Sequence, residues 1–182
     1  ELPTSEEALL QPASPYSLAK VTVERYLEYF STIGLQSVVV RPSNVYGPRQ
    51  RSGSASVVVG DFARLVLAGR AIELSGRGTQ TRDFIYVTDV VEAMVKALES
   101  GHGVYNLSSG TEVSLRELAV ALGEVAGVVP RVSYAAAPVG ELARSCLDAR
   151  RAHKELDWAP KVPLIDGLRQ TLKWQRDLGI NL

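Results

Sequence analysis

Between Ser14 and Gly34, apolar side chains at Ala19, Val23, Tyr26, Phe30 and Ile33 recur at three- and four-residue intervals. This is the spacing of one face of an α-helix, and the stripe is expected to be buried. Ser14 is a good cap for that helix, Pro15 suits its first turn and Gly34 can end it. The pattern then changes. Gln36–Arg41 is a short β-branched run with apolar residues on both faces, which predicts a strand buried on both sides in a parallel sheet. Pro42 breaks it, and a loop rich in Gly, Pro, Ser and Arg runs to about Ser56.

Beyond that loop the periodicity alternates between helix and strand. A helix is expected from about Val57 to Ala68, then strands at Ile72–Leu74 and Asp83–Val87. The next helix, capped by Thr88 or Asp89, ends near Ser100–Gly101 and leads to a strand at Val104–Leu107. Ser114 and Glu117 have the spacing of a capping box, opening a helix to about Gly127. Val132–Ala135 reads as a strand, Asp148 as the cap of a short helix, and Ile165–Leu178 as an amphipathic helix. Alternation of this kind predicts an α/β architecture.

Composition narrows the classes. The chain has 182 residues, 46% of them hydrophobic and 22% charged, enough for a soluble domain with a real core. Its formal net charge is zero and no basic stripe is visible, which argues against nucleic acid as a partner. The small cluster Arg49–Gln50–Arg51 reads as solvated surface. Cys146 is the single cysteine, so an intrachain disulfide and a Cys-based zinc site are both excluded. That suits a reducing compartment, and a cytoplasmic location is expected. No apolar run approaches the ~20 residues of a membrane span. No signal peptide is seen either, in a chain that begins at Glu1 and not at Met. His102 and His153 have no carboxylate or cysteine at metal-ligand spacing and are expected at the surface.

Tyr16 and Lys20 lie four residues apart on the first helix, so their side chains share a face. A neighbouring ammonium favours a phenolate and so makes tyrosine a usable base. Spacing alone is weak evidence. Such a pair arises by chance about 0.2 times in a chain of this composition, and an interfacial Tyr beside a solvated Lys would look the same.

Further stretches change that balance. Ser14-Pro-Tyr-Ser-Leu-Ala-Lys20, Arg41-Pro-Ser-Asn-Val-Tyr-Gly-Pro48, Gly76-Arg-Gly-Thr-Gln-Thr-Arg-Asp-Phe-Ile-Tyr-Val-Thr-Asp89, Tyr105-Asn-Leu-Ser-Ser-Gly110 and Leu156-Asp-Trp158 follow one another in order. Together they resemble the extended short-chain dehydrogenase/reductases, and within them the NAD-dependent sugar-nucleotide epimerases and dehydratases, nearest the UDP-glucose 4-epimerase type. The resemblance covers nearly the whole chain. It implies the C-terminal part of a Rossmann-type doubly wound parallel sheet plus a smaller α/β substrate-binding domain. Residues 1–55 would belong to the dinucleotide-binding domain and 56–182 mainly to the substrate domain, with 88–110 returning to the Rossmann sheet. A homodimeric full-length protein is implied as well.

By the same resemblance the cofactor is NAD and the substrate a nucleotide-diphosphate hexose. Tyr16 would be the acid/base and Lys20 its electrostatic partner and ribose ligand. Pro42 and Ser43 would lie against the nicotinamide. Asn44 and Arg82 would hold the diphosphate, the latter because a guanidinium fork matches phosphate oxygens. Val57 and Val58 fall where relatives line the base pocket, although apolar core reads equally well. Ser75 stands where an aromatic often packs on the base. Pro138 replaces a second diphosphate-binding arginine, which leaves Arg144 as the substitute candidate. Ser145 aligns with the residue flanking the sugar C2 substituent, where a small side chain leaves space for an N-acetyl group.

The reaction implied is 4-epimerisation through a 4-keto sugar. A 4,6-dehydratase shares its first step, and a non-catalytic sugar-nucleotide-binding protein would keep the scaffold without needing the base. One expected element is missing. Gly76-Arg-Gly78 is followed by a strand and not a helix, so the chain lacks a phosphate-cradling loop. The resemblance places that loop, the catalytic Ser/Thr and the reaction-defining acids in about 130 residues upstream.

Overall fold

The computed structural model describes residues 1–50, 57–138 and 140–179. Arg51 and the end of the loop expected to run to Ser56 lie outside them. The elements in chain order are α1 (Pro15–Ser31), β1 (Val38–Pro42), β2 (Asn44–Tyr46), α2 (Val58–Leu67), β3 (Ile72–Ser75), β4 (Thr81–Tyr86), α3 (Val87–Ser100), β5 (Gly103–Leu107), β6 (Glu112–Ser114), α4 (Leu115–Ala126), β7 (Val132–Ala135), β8 (Arg144–Ser145), α5 (Arg150–Glu155) and α6 (Leu164–Asp177). The architecture is α/β with parallel pairing predominant. β1 pairs with β5, β3 with β7, and β2 with β4, all in parallel. β4 also pairs antiparallel with β6 and parallel with β8. β2, β6 and β8 were not anticipated, being too short to show periodicity.

β4 divides the interior in two. Successive strand residues face opposite sides, so Phe84 and Tyr86 enter one core while Ile85 enters the other. The first core packs α2, α4 and α6 through Phe62, Leu118, Leu122, Leu168 and Leu172. The second packs α3 and α5 against β5 through Ala93, Ala97, Tyr105, Ala152 and Trp158, with Val38 and Val40 of β1 at its edge.

Local signals set several boundaries. Ser14 and Ser17 exchange side-chain-to-backbone bonds at 3.1 and 2.9 Å, a capping box that opens α1. The expected Ser114–Glu117 box opens α4, and Gly127 closes it in the left-handed region at φ 73°. Asp148 accepts from the Arg150 N–H at 3.0 Å as α5 begins, although Ala149 occupies the boundary position.

Two expectations are corrected. Neither Thr88 nor Asp89 caps α3, which starts at Val87 directly from the extended Tyr86. Asp89 is instead buried in the first turn. Its carboxylate accepts from the Val162 N–H at 3.1 Å and its carbonyl from Trp158 Nε1 at 2.9 Å, pinning the segment before α6. The stripe Ala19, Val23, Tyr26, Phe30 and Ile33 is exposed, not buried. The half-buried side of α1 is Ser17, Val21, Glu24 and Leu27, because an ion pair from Glu24 to β1 sets the helix rotation. His102 and His153 are at the surface as expected, the latter tilted against Trp158. Among the described residues no helix is long and apolar enough to cross a membrane.

Candidate active site

Tyr16 and Lys20 project from the solvent side of α1. Tyr16 is 73% exposed, and the Lys20 ammonium lies 5.5 Å from the centre of its ring. The helix is registered on β1 by one anchor. Arg41 Nε donates to Glu24 Oε1 at 2.9 Å and Nη2 to Oε2 at 2.5 Å, while Nη1 reaches the Glu6 carbonyl at 3.2 Å. The hydrogen bond to the Glu24 carboxylate raises the Arg41 guanidinium pKa above its ordinary value. Since Arg41 immediately precedes Pro42–Ser43, this anchor ties the Tyr16 helix to the segment expected at the nicotinamide.

Ser43 and Asn44 converge on Asp83. The Ser43 hydroxyl donates to Asp83 Oδ1 at 2.9 Å and the Asn44 amide to the Asp83 carbonyl at 2.9 Å. The Asn44 amide keeps its second N–H and its oxygen for other partners. Ser43 N–H is taken by the Leu107 carbonyl at 2.8 Å. Cys146 is buried beside Asp83, and both its desolvation and that carboxylate push the thiol pKa up, so it is an inert packing group.

The register of β4 sorts the remaining candidates. Arg82 is level with Ser145 of β8 and Val113 of β6, and Asn44 of β2 with Phe84. Paired residues share a face, so Asn44, Arg82 and Ser145 lie on one side. Thr81, Asp83, Glu112 and Arg144 lie on the other. Arg144 does not join Arg82. It binds Glu112 bidentately, on the wall of a ≈ 330 Å³ cavity shared with Ser108 and Cys146. The Arg144 guanidinium, with the Thr81 hydroxyl, holds the Glu112 carboxyl down at about 2. The alternation of a strand sends neighbours 144 and 145 to opposite faces, so Arg144 stands across β4 from Arg82.

The other positions lie at α2 and β3. Val57 is buried at the start of α2, and Val58 is half-buried against the first core. Ser75 ends β3, with its carbonyl accepting from the Gly78 N–H at 3.0 Å.

The sequence pattern of the NAD dependent epimerase/dehydratase family matches residues 1–108. The chain belongs to this family. A UDP-glucose 4-epimerase of Mycolicibacterium smegmatis is 38% identical over 178 residues, which is 96% of this chain and 57% of that protein. The human dTDP-D-glucose 4,6-dehydratase is 32% identical over 185 residues, covering 94% and 51%. The crystal structure of the Thermotoga maritima UDP-glucose 4-epimerase with UDP-glucose superposes with a TM-score of 0.93 at 37% identity, over 97% of this chain and 58% of that one. The chain therefore spans little more than half the length of the relatives it matches.

As an epimerase/dehydratase family member, the chain carries groups that fit one end of NAD. Lys20 forms no ion pair among the described residues, so its ammonium is available to ribose hydroxyls. The Ser43 N–H and hydroxyl are both engaged within the protein, leaving Pro42–Ser43 as a wall without competing donors. Gly76 and Gly78 form a strand-to-strand turn at φ 58° and 68° and are not a phosphate loop. Asp83, Ser108 and Glu112 have no counterpart among the sequence candidates. Asp83 stands inside the Arg82-Asp-Phe motif, but nothing within a few residues shows what it binds.

Proposed function

We propose that this chain is the C-terminal portion of an NAD-dependent nucleotide-sugar 4-epimerase. Residues 1–55 and 88–110 would complete its dinucleotide-binding sheet, and the remainder would hold the sugar nucleotide. The observation that carries the reading is the Tyr16–Lys20 pair, displayed on a helix that Arg41 ties to the Pro42–Ser43 wall. The likeness to UDP-glucose 4-epimerases over nearly the whole chain supports it.

In this reading Tyr16 removes the proton of the sugar C4 hydroxyl, and Lys20 supplies positive charge beside the phenolate and binds the ribose. NAD, when bound, accepts hydride from C4 and returns it. Arg82 and Asn44 grip the diphosphate, so the 4-keto sugar is held by its distal end and is free to turn its other face. Tyr16 then gives the proton back. Val57, Val58 and Ser75 line the base side, Ser145 leaves room at sugar C2, and Arg144 is the candidate for a second diphosphate contact, held by Glu112 across β4 from Arg82. The full-length protein would be a cytoplasmic homodimer.

A 4,6-dehydratase is the second reading, favoured by the human relative. Product analysis separates the two. The full-length protein is supplied with UDP-glucose, UDP-N-acetylglucosamine and dTDP-glucose. Inversion at C4 is expected, whereas a 4-keto-6-deoxy sugar would establish the dehydratase. Ser145→Tyr is expected to cut turnover of the N-acetylated substrate by about 10- to 200-fold and to spare UDP-glucose. Equal effects on both substrates would remove Ser145 from the sugar pocket.

A further inference from the structure

Asp83 is fully buried, with no exposed surface. Its Oδ1 accepts from the Ser43 hydroxyl at 2.9 Å, the Ser109 N–H at 3.0 Å and the Ser109 hydroxyl at 3.1 Å. Its Oδ2 accepts from the Ser108 hydroxyl at 2.6 Å, the Gly110 N–H at 2.8 Å and the Cys146 thiol at 3.5 Å. Among the described residues no cation pairs with it. A carboxylate is buried without a counter-ion only where donors converge on it, and such a network is rigid because losing any donor is costly. A core position that needed only volume would be filled by an apolar residue of similar size.

The donors come from three separate parts of the chain. Ser43 joins β1 to β2, Ser108–Gly110 follow β5, and Cys146 follows Ser145 of β8. The Asp83 backbone carbonyl holds Asn44, and Arg82 precedes it on β4. Asp83 thus links the segment assigned to the nicotinamide, through its side chain, with Asn44 through its backbone carbonyl and with Arg82 and Ser145 through adjacent residues.

We propose that Asp83 is a positioning residue that sets the placement of the cofactor-facing Ser43 segment relative to the sugar-nucleotide residues Asn44, Arg82 and Ser145. The proposal rests on the epimerase reading of those residues. Asp83 touches neither substrate nor cofactor. It fixes how far the sugar C4 stands from the nicotinamide, a distance to which rate is far more sensitive than binding.

Asp83→Asn tests this in the full-length protein. Asparagine keeps the volume but has one acceptor oxygen, and in either orientation its NH₂ meets a backbone N–H, that of Ser109 or that of Gly110. The kcat per NAD-loaded site is expected to fall about 10- to 100-fold while KM for the nucleotide sugar stays within about threefold. An unchanged kcat per loaded site would show that Asp83 is structural only and overturn the proposal. If Asp83→Asn does not fold, Ser108→Ala removes one of the donors to Asp83 Oδ2. A fall in kcat of about threefold or more is expected there, and no fall overturns the proposal. A readout without turnover separates this failure from failure of the epimerase reading. UDP binding is expected to alter the fluorescence of bound reduced nicotinamide in the wild type, and the response to shrink at least about threefold in the variant that folds. An equal response in wild type and variant overturns the proposal even if the wild type converts no sugar.

Discussion

Glu112 accepts from Thr81 and from the Arg144 guanidinium, and this clasp lies on the face of β4 away from Arg82. Its folded-state pKa is depressed from 4.5 to about 2, chiefly by the bond from Arg144. A depressed carboxylate contributes stability that is complete above its unfolded value, near pH 4.5, and is lost as pH falls through its folded value, near pH 2. Glu112→Gln should therefore be less stable than wild type at neutral pH, with the difference vanishing as the pH falls through that window. Thermal unfolding across the acid limb checks it, and a pH-independent difference would contradict it. Both groups are solvent-accessible, so the effect should also shrink with salt. The same residues show where reading from sequence stops. Tyr16 and Lys20 are four apart and could be paired on paper, whereas Arg144 and Glu112 are separated by 32 positions and Asp83 and Cys146 by 63. Only the sheet register brings such residues together.

Elements were most legible where their boundaries are set locally. The Ser114–Glu117 box and Gly127 close on themselves within a few residues, so α4 could be placed from the sequence. The rotation of α1 could not, because apolar residues occur on more than one side of it and periodicity does not say which side meets the sheet. The Glu24–Arg41 pair decides that, across 17 positions. α6 offers a sharper test of packing against propensity. A Cβ at Gly167 would lie 2.2 Å from the Tyr46 hydroxyl oxygen and 2.8 Å from Tyr86 Cδ2. Both rings are buried, and the Tyr46 hydroxyl donates to the Leu164 carbonyl at 3.2 Å one turn earlier, so neither can swing aside. Helix propensity alone would make Gly167→Ala stabilising by about 1 kcal/mol. Overpacking costs about 1–3 kcal/mol, more at such close approach, and is expected to win. A denaturation midpoint lowered at unchanged slope is the predicted result, and a raised midpoint would contradict it.

At the scale of the whole molecule, the most conspicuous feature is the uncovered side of α1. Tyr16, Val23, Tyr26, Phe30 and Ile33 are all more than 40% exposed, and monomeric proteins rarely display so continuous an apolar surface without a partner. α3 adds Val91, Met94, Val95 and Leu98. In the proposed epimerase site the exposed side of α1 carries Tyr16 toward the cofactor and the sugar. The two cores hold the other half of that site in place, with β4 as their common wall and Asp83 at its functional end.

Whether Tyr16 does the proton chemistry in such a site is decided by Tyr16→Phe in the full-length, NAD-loaded protein. The substitution removes a single hydroxyl oxygen and should leave folding and NAD content unchanged. C4 epimerisation of UDP-glucose is expected to fall by about 10²- to 10⁴-fold, with substrate affinity retained. Turnover within about threefold of wild type would contradict it.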